Sequence, residues 1–201
     1  MAEIRNIIFD IGWVLLHLRT EPLLDLLTRR GLQHNGLEDV ATRIAIEAHE
    51  SGRLDGGGLL TNITALVPGR LTIQEAHCAW LDMFDPQFEM IALAQRLSNE
   101  YRVFLLSNIG ELHWSHISAA YGVHRIGQDY LQSYVAGVMK PHAEIYRQAE
   151  SRFALQVEQT VFIDDRVDNI AAARARGWRG IVHANVVDTV TALQALYVRT
   201  E

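Results

Sequence analysis

The chain of 201 residues is 49% hydrophobic and 21% charged, with a formal net charge of −6. This length is enough for a full core, as one domain or one domain with a large insertion, and the composition is that of a globular protein. An acidic balance without any basic run excludes nucleic acid and anionic membrane as expected partners.

Cys78 is the only cysteine, so neither an internal disulfide nor a thiolate metal cluster can form within one chain, which fits a reducing cytoplasm. The N-terminal stretch through Arg5 is charged where a secretion signal needs apolar residues, and no stretch approaches the roughly 20 apolar residues that cross a bilayer. The expected location is therefore cytoplasmic.

Asn6 to Asp10 is a short apolar run with polar ends, the pattern of a buried strand. From Thr20 to Phe88 the periodicity is helical, at Leu23-Leu24-Leu27, Val40-Ile44-Ala45-Ala48 and Ala76-Trp80-Leu81-Phe84. It breaks at Gly31, Gly56-Gly57-Gly58 and Pro68-Gly69. No strand is expected there, and the triple glycine is expected to be a flexible helix junction.

Ile91 to Leu97 predicts a helix leading into a second strand, Arg102 to Ser107. Helical patterns at Ala143–Phe153 and Asp168–Arg176 flank a third strand, Thr160 to Ile163, and Asp188–Leu196 follows a fourth, Gly180 to His183. Strands alternating with helices predict an α/β fold: a Rossmann-like parallel sheet with helices on both faces. The helical segment reads as an all-helical insertion after the first strand. The division is a core of residues 1–19 and 86–201 and an insertion of 20–85, with Asp85-Pro86 marking the return.

In open α/β sheets, ligands bind beyond the carboxyl ends of the strands. Asp10 ends the first strand, and Asp164 and Asp165 end the third. If the strands are neighbours, three carboxylates converge. Like charges about 4 Å apart repel by roughly 4 kcal/mol at a surface-like dielectric. Such a cluster calls for a cation or a shared proton, and hard oxygen ligands favour Mg²⁺ as the cation. The second strand ends at Leu106-Ser107-Asn108, where a hydroxyl and the following N–H groups can cradle an anion.

Of the 18 lysines and arginines, one is a lysine, Lys140. A compact ammonium on the far side of the anion completes equipment for phosphoryl transfer.

In this order the motifs resemble those of the haloacid dehalogenase-like hydrolases. The four stations are Phe9-Asp10-Ile11-Gly12-Trp13-Val14-Leu15, Leu106-Ser107-Asn108, Lys140-Pro141, and Phe162-Ile163-Asp164-Asp165-Arg166-Val167-Asp168-Asn169. The resemblance covers the whole chain, since the insertion sits where that family places a helical cap. It is to the subgroup with Asp-x-Gly at the first motif, which includes bacterial sugar-phosphate phosphatases such as α-glucose-1-phosphate phosphatase.

The resemblance implies Asp10 as a nucleophile forming an aspartyl-phosphate, and Asp10, the Gly12 carbonyl and Asp165 as Mg²⁺ ligands. Asp164 would be a further ligand or orienting group. Ser107, Asn108 and the turn at Ile11 and Gly12 would hold the phosphoryl group, with Lys140 pairing with nucleophile and phosphate. The departure is Gly12, where most phosphatases of this family have an acid/base Asp. The chain must then use another proton donor, rely on a good leaving group or turn over slowly; His17 and His113, the latter expected in the loop after Asn108, are either candidate donors or ordinary surface or core residues. Trp13 is expected to shape the pocket or pack under the cap.

The expected activity is therefore a Mg²⁺-dependent phosphatase acting on a small phosphorylated metabolite, a sugar phosphate first. The alternatives are a 2-haloacid dehalogenase, which the Asp164-Asp165 pair disfavours by repelling the haloacid's carboxylate, and a non-catalytic or regulatory phosphate-binding module, which Gly12 motivates. A cap of this size admits small molecules. Glu47, His49, Glu50 and Arg53 form a polar patch on a cap helix, either a solvated helix face or a surface that touches substrate. Trp80, Phe84 and Trp114 supply either a pocket wall or an interface in a homodimer.

Overall fold

The computed structural model describes residues 2–200. The chain begins with β1 (Asn6–Phe9) and β2 (Leu16–Leu18), then five helices: α1 (Glu21–Arg29), α2 (Leu37–Arg43), α3 (Ile46–Glu50), α4 (Gly56–Ala65) and α5 (Ile73–Leu81). After β3 (Phe84–Pro86), strands and helices alternate. They run α6 (Phe88–Leu97), β4 (Arg102–Ser107), α7 (Glu111–Tyr121), β5 (Asp129–Gln132), α8 (Ser133–Ala136) and α9 (Ala143–Arg152). The chain closes with β6 (Thr160–Asp164), α10 (Val167–Ala175), β7 (Arg179–Val182) and α11 (Val186–Ala195).

Five strands form one sheet in the order β5-β4-β1-β6-β7, every pair parallel. The four expected strands are all in it. β5 is the addition: Asp129-Tyr130-Leu131-Gln132 has too few apolar residues to stand out as a buried run. Alternate residues feed opposite faces, as strand geometry requires. Ile7, Val103, Leu105 and Val161 join a core with α6, α7 and α11, while Ile8, Phe104 and Phe162 join one with α9 and α10. The α/β class with helices on both faces is thus the observed one.

The segment 20–85 differs from expectation in three places. Phe84–Pro86 is a strand, pairing antiparallel with β2 beyond the main sheet. Gly56-Gly57-Gly58 is no junction but the first turn of α4, capped by Asp55, which accepts from Gly58 N–H at 2.7 Å. The single helix read through Val40 to Ala48 is split, because Ala45 adopts the left-handed conformation at φ 58°. The apolar faces of these helices do not close a core of their own. Leu23, Val40, Leu59 and Trp80 belong to the same cluster as Ile7 and Leu105.

Sheet order places the site. From β1 the chain moves outward to β4 and β5 on one side, then returns to β6 and β7 on the other. The crevice at that reversal, at the carboxyl ends of β1, β4 and β6, is where an open α/β sheet binds ligands. Among the described residues no helix is long and apolar enough to cross a membrane.

Candidate active site

Asp10 directly follows β1 and is held in place because its N–H donates to Ile163 O at 2.9 Å, continuing the ladder to β6. The chain then turns tightly: the N–H groups of Leu15 and Leu16 both donate to Ile11 O, and Trp13 N–H donates to Leu16 O at 2.7 Å. Trp13 pays for the turn with φ 59°, a left-handed conformation unusual for a bulky residue. It stays 42% exposed and forms part of the cavity rim.

Beneath the crevice, one ammonium binds three acceptors. Lys140 Nζ lies 2.7 Å from Asp164 Oδ2, 2.9 Å from Leu106 O and 3.0 Å from Asp10 Oδ1. All three of its protons are thereby engaged. Asp164 is fully buried. Its Oδ1 accepts from Arg166 N–H at 2.8 Å, and Asn169 Nδ2 donates to both oxygens at 2.9 and 3.0 Å. This pattern is that of an orienting group; the half-buried Asp165 is the one that lines the cavity.

Asp10, Asp164 and Asp165 each offer an oxygen within 4.8 Å of the others. Burial pushes the Asp10 carboxyl up to about 7; Lys140 pulls it down, Asp164 pushes it up, and the Ser107 hydroxyl bond lowers it. Burial, then the charge of Asp164, raises Asp165. One ammonium thus leaves the three carboxyls short of countercharge, the environment into which a divalent cation fits. The opposing attraction of the two aspartates holds Lys140 above its ordinary value despite burial.

Ser107 and Asn108 both line the crevice, but part of the expected anion cradle is bonded within the protein. Asn108 spends its amide on Lys140, donating Nδ2–H to its carbonyl at 2.9 Å and accepting its N–H at 2.8 Å. Ile109 N–H goes to Ser133 Oγ at 2.9 Å, and Ile11 N–H to Asp10 Oδ1 at 2.6 Å. Ser107, buried beside Asp10, keeps its place on the crevice floor.

Neither histidine is placed to replace the missing acid. His17 is exposed on β2, edge-on to Trp13 at 4.4 Å, and does not line the cavity. His113 lies in α7, not a loop, stacked on Trp80 at 4.2 Å with Nε2 bonded to Trp80 O at 2.8 Å. Burial depresses it to about 3, so it is neutral, and its one N–H is spent on that carbonyl.

The cavity above the carboxylates holds about 330 Å³. Trp80 and Phe84 are buried in its wall, and Trp114 is buried against Tyr130, so none of the three offers a surface for a second copy. Of the polar patch on α3, Glu50 enters the cavity. His49 is buried with Nδ1 on Leu54 O, and Glu47 and Arg53 face outward.

This fold and crevice carry their motifs in the order of one enzyme family, and the haloacid dehalogenase-like hydrolase family matches residues 5–177. The chain belongs to it. Its curated relatives include D-ribitol-5-phosphate phosphatase of Bacteroides thetaiotaomicron, 25% identical over 92% of this chain and 94% of the relative. A haloacid dehalogenase family enzyme from the same organism superposes with a TM-score of 0.86 at 22% identity, covering 96% of this chain and 99% of that one. That enzyme has also been solved with magnesium and inorganic phosphate, with a TM-score of 0.81 at 22% identity over 90% of this chain and 94% of that one. A predicted family hydrolase from Porphyromonas gingivalis superposes with a TM-score of 0.80 at 25% identity, covering 98% of this chain and 100% of that one.

Proposed function

We propose that the chain is a magnesium-dependent phosphatase of a small phosphorylated metabolite, with sugar and polyol phosphates the first class to test. The observation that carries this is the convergence of Asp10, Asp164 and Asp165 around Lys140 at the strand ends. The magnesium and phosphate bound by a relative of the same fold support it, as does the polyol phosphate named for another.

In this reading Asp10 is the nucleophile. Its carboxylate, aimed into the crevice by Lys140 and Ser107, attacks phosphorus and forms an acyl phosphate that water then hydrolyses. Asp10, Asp165 and the Gly12 carbonyl would hold Mg²⁺, with Asp164 orienting both Lys140 and the turn that carries Asp165. The ion supplies positive charge to the phosphoryl oxygens and lowers the nucleophile's pKa. Lys140 keeps the nucleophile ionised and in register, and Ser107 holds a phosphoryl oxygen. The segment 20–85 serves as a cap over the core formed by 1–19 and 86–201, excluding bulk water from the cavity.

The test is phosphate release from 4-nitrophenyl phosphate and D-ribitol 5-phosphate with Mg²⁺, with EDTA, and by Asp10→Asn. Loss of release in both the chelated and the substituted enzyme is expected. Halide release from chloroacetate that survives EDTA would point to the dehalogenase instead, and release that survives Asp10→Asn would remove the mechanism.

A further inference from the structure

We propose that Glu50, at the end of cap helix α3, is the general acid that protonates the leaving oxygen, the task for which Gly12 has no side chain. The proposal rests on the phosphatase reading and assigns its missing catalytic residue.

Three observations place Glu50 in that role. It lines the same cavity as Asp10, Ser107, Lys140 and Asp165, and it is the only charged residue that the segment 20–85 contributes there. The other residues from that segment, among them Leu37, Ile44, Ile46 and Trp80, carry no acidic group that could transfer a proton to a leaving group. Both histidines are out of play by the geometry above.

The position is fixed from the core side. Ser133 Oγ, on α8, donates to Glu50 O at 2.5 Å. Two residues on, Gly52 sits at φ +73° so close to Tyr134 O that any side chain there would collide with it. The end of α3 is thus pinned against the core, and Glu50 lines the crevice that Lys140 also lines. Among the described residues its carboxyl takes part in no hydrogen bond or ion pair; only the main-chain oxygen of Glu50 accepts one, from Ser133. The carboxyl is free to bond a substrate oxygen.

Its protonation state suits the task. The charged groups facing it are Asp10 and Glu47, which raise its pKa, and Lys140 and Arg166, which lower it; with burial as the largest cause, the carboxyl is pushed up to about 8. A group that keeps its proton at neutral pH can give it away in the transition state. As the phosphorus–oxygen bond breaks, the electron pair goes to the leaving oxygen, which takes the Glu50 proton and departs as an alcohol. Asp10 Oδ has by then bonded to phosphorus. The Glu50 carboxylate next takes a proton from water whose oxygen attacks phosphorus; the bond from phosphorus to Asp10 Oδ breaks, its electron pair returns to the Asp10 carboxylate, phosphate leaves and Glu50 is again protonated.

The experiment compares two esters of similar shape in the full chain with Mg²⁺. 4-Nitrophenyl phosphate has a leaving group that needs no proton, and benzyl phosphate has one that does. The readout is kcat/KM, which reports steps through leaving-group departure. Glu50→Gln is expected to lower kcat/KM for benzyl phosphate by about 10²- to 10³-fold, within the range of general acid catalysis, and for 4-nitrophenyl phosphate by less than about 10-fold. Equal losses on the two esters would show a structural role, and no loss on benzyl phosphate would show no role; either overturns the assignment. A wild-type chain that releases no phosphate from 4-nitrophenyl phosphate overturns the phosphatase reading instead, and this proposal with it.

Discussion

Lys140 Nζ lies 3.0 Å from Asp10 Oδ1, in a site where the lysine side chain is 1% exposed and the aspartate 10%. Removing one partner of a buried pair leaves an uncompensated charge, which costs about 3–5 kcal/mol. Here two carboxylates depend on the one ammonium, since Asp164 lies 2.7 Å away. Lys140→Met is expected to lose about that much unfolding free energy in urea and to release no phosphate. Lys140→Arg is not expected to restore activity, because Nζ is enclosed by Leu106 O, two carboxylates and the face of Phe162 at 5.2 Å, with no room for a planar fork. A Met variant within about 1 kcal/mol of wild type would show that the pair carries no such weight.

Asn169 supports the same carboxylate from the other side. It donates to both Asp164 oxygens, while Tyr146 Oη–H, 2.9 Å from its carbonyl, anchors its backbone. Asn169→Ala removes hydrogen bonds to a charged, buried acceptor, worth about 1.5–3 kcal/mol. Asn169→Asp keeps the shape but sets a second negative charge against Asp164, so it should be the more destabilised of the two. Denaturation midpoints in the reverse order would refute this account of how Asp164 is held.

His113 predicts an acid limb of stability. Its pKa is near 6.5 unfolded and depressed to about 3 in the fold. Between those values the unfolded chain binds more protons, so stability rises with pH. The contribution is whole above about pH 6.5 and is lost as pH falls toward about 3. His113→Phe keeps a ring against Trp80 and Phe84 but cannot titrate. Its melting temperature, relative to wild type, should climb as pH falls through this window, and parallel curves for the two proteins would sink the claim.

How far the sequence alone reached follows from what each residue depends on. Asp10 directly follows β1, Ser107 and Asp164 end β4 and β6, and buried parallel strands are apolar runs whose ends are visible in one dimension. Lys140 stood out by being the only one of its kind. Glu50 was legible only as one of four polar residues on a cap helix, with nothing to single it out. Its place depends on the left-handed turn at Ala45, the positive φ of Gly52 and the reach of Ser133 from α8, which no local pattern joins. β2 and β3, of three residues each, are too short to show a period. His113 was misplaced because α7 has only a weak apolar face. Asn108 lines the crevice, but no local pattern shows that its side-chain amide turns to a backbone 32 positions away.

Gly12 offers the last test, because the turn has room for the side chain it lacks. A Cβ there would meet nothing within 4 Å, and its φ is not positive, so a larger residue needs no backbone rearrangement. If the acid is now supplied from across the cavity by Glu50, an acid built directly onto the turn should make Glu50 dispensable. Gly12→Asp combined with Glu50→Gln is therefore expected to regain about 10-fold or more of the benzyl phosphate kcat/KM lost in Glu50→Gln alone, a fraction of the roughly 10²- to 10⁴-fold that a well-positioned acid supplies. The same change should add little on 4-nitrophenyl phosphate, whose leaving group departs without a proton. A double variant no faster than Glu50→Gln on benzyl phosphate would mean that the turn does not aim a carboxyl at the leaving oxygen, and that its glycine has a different cause.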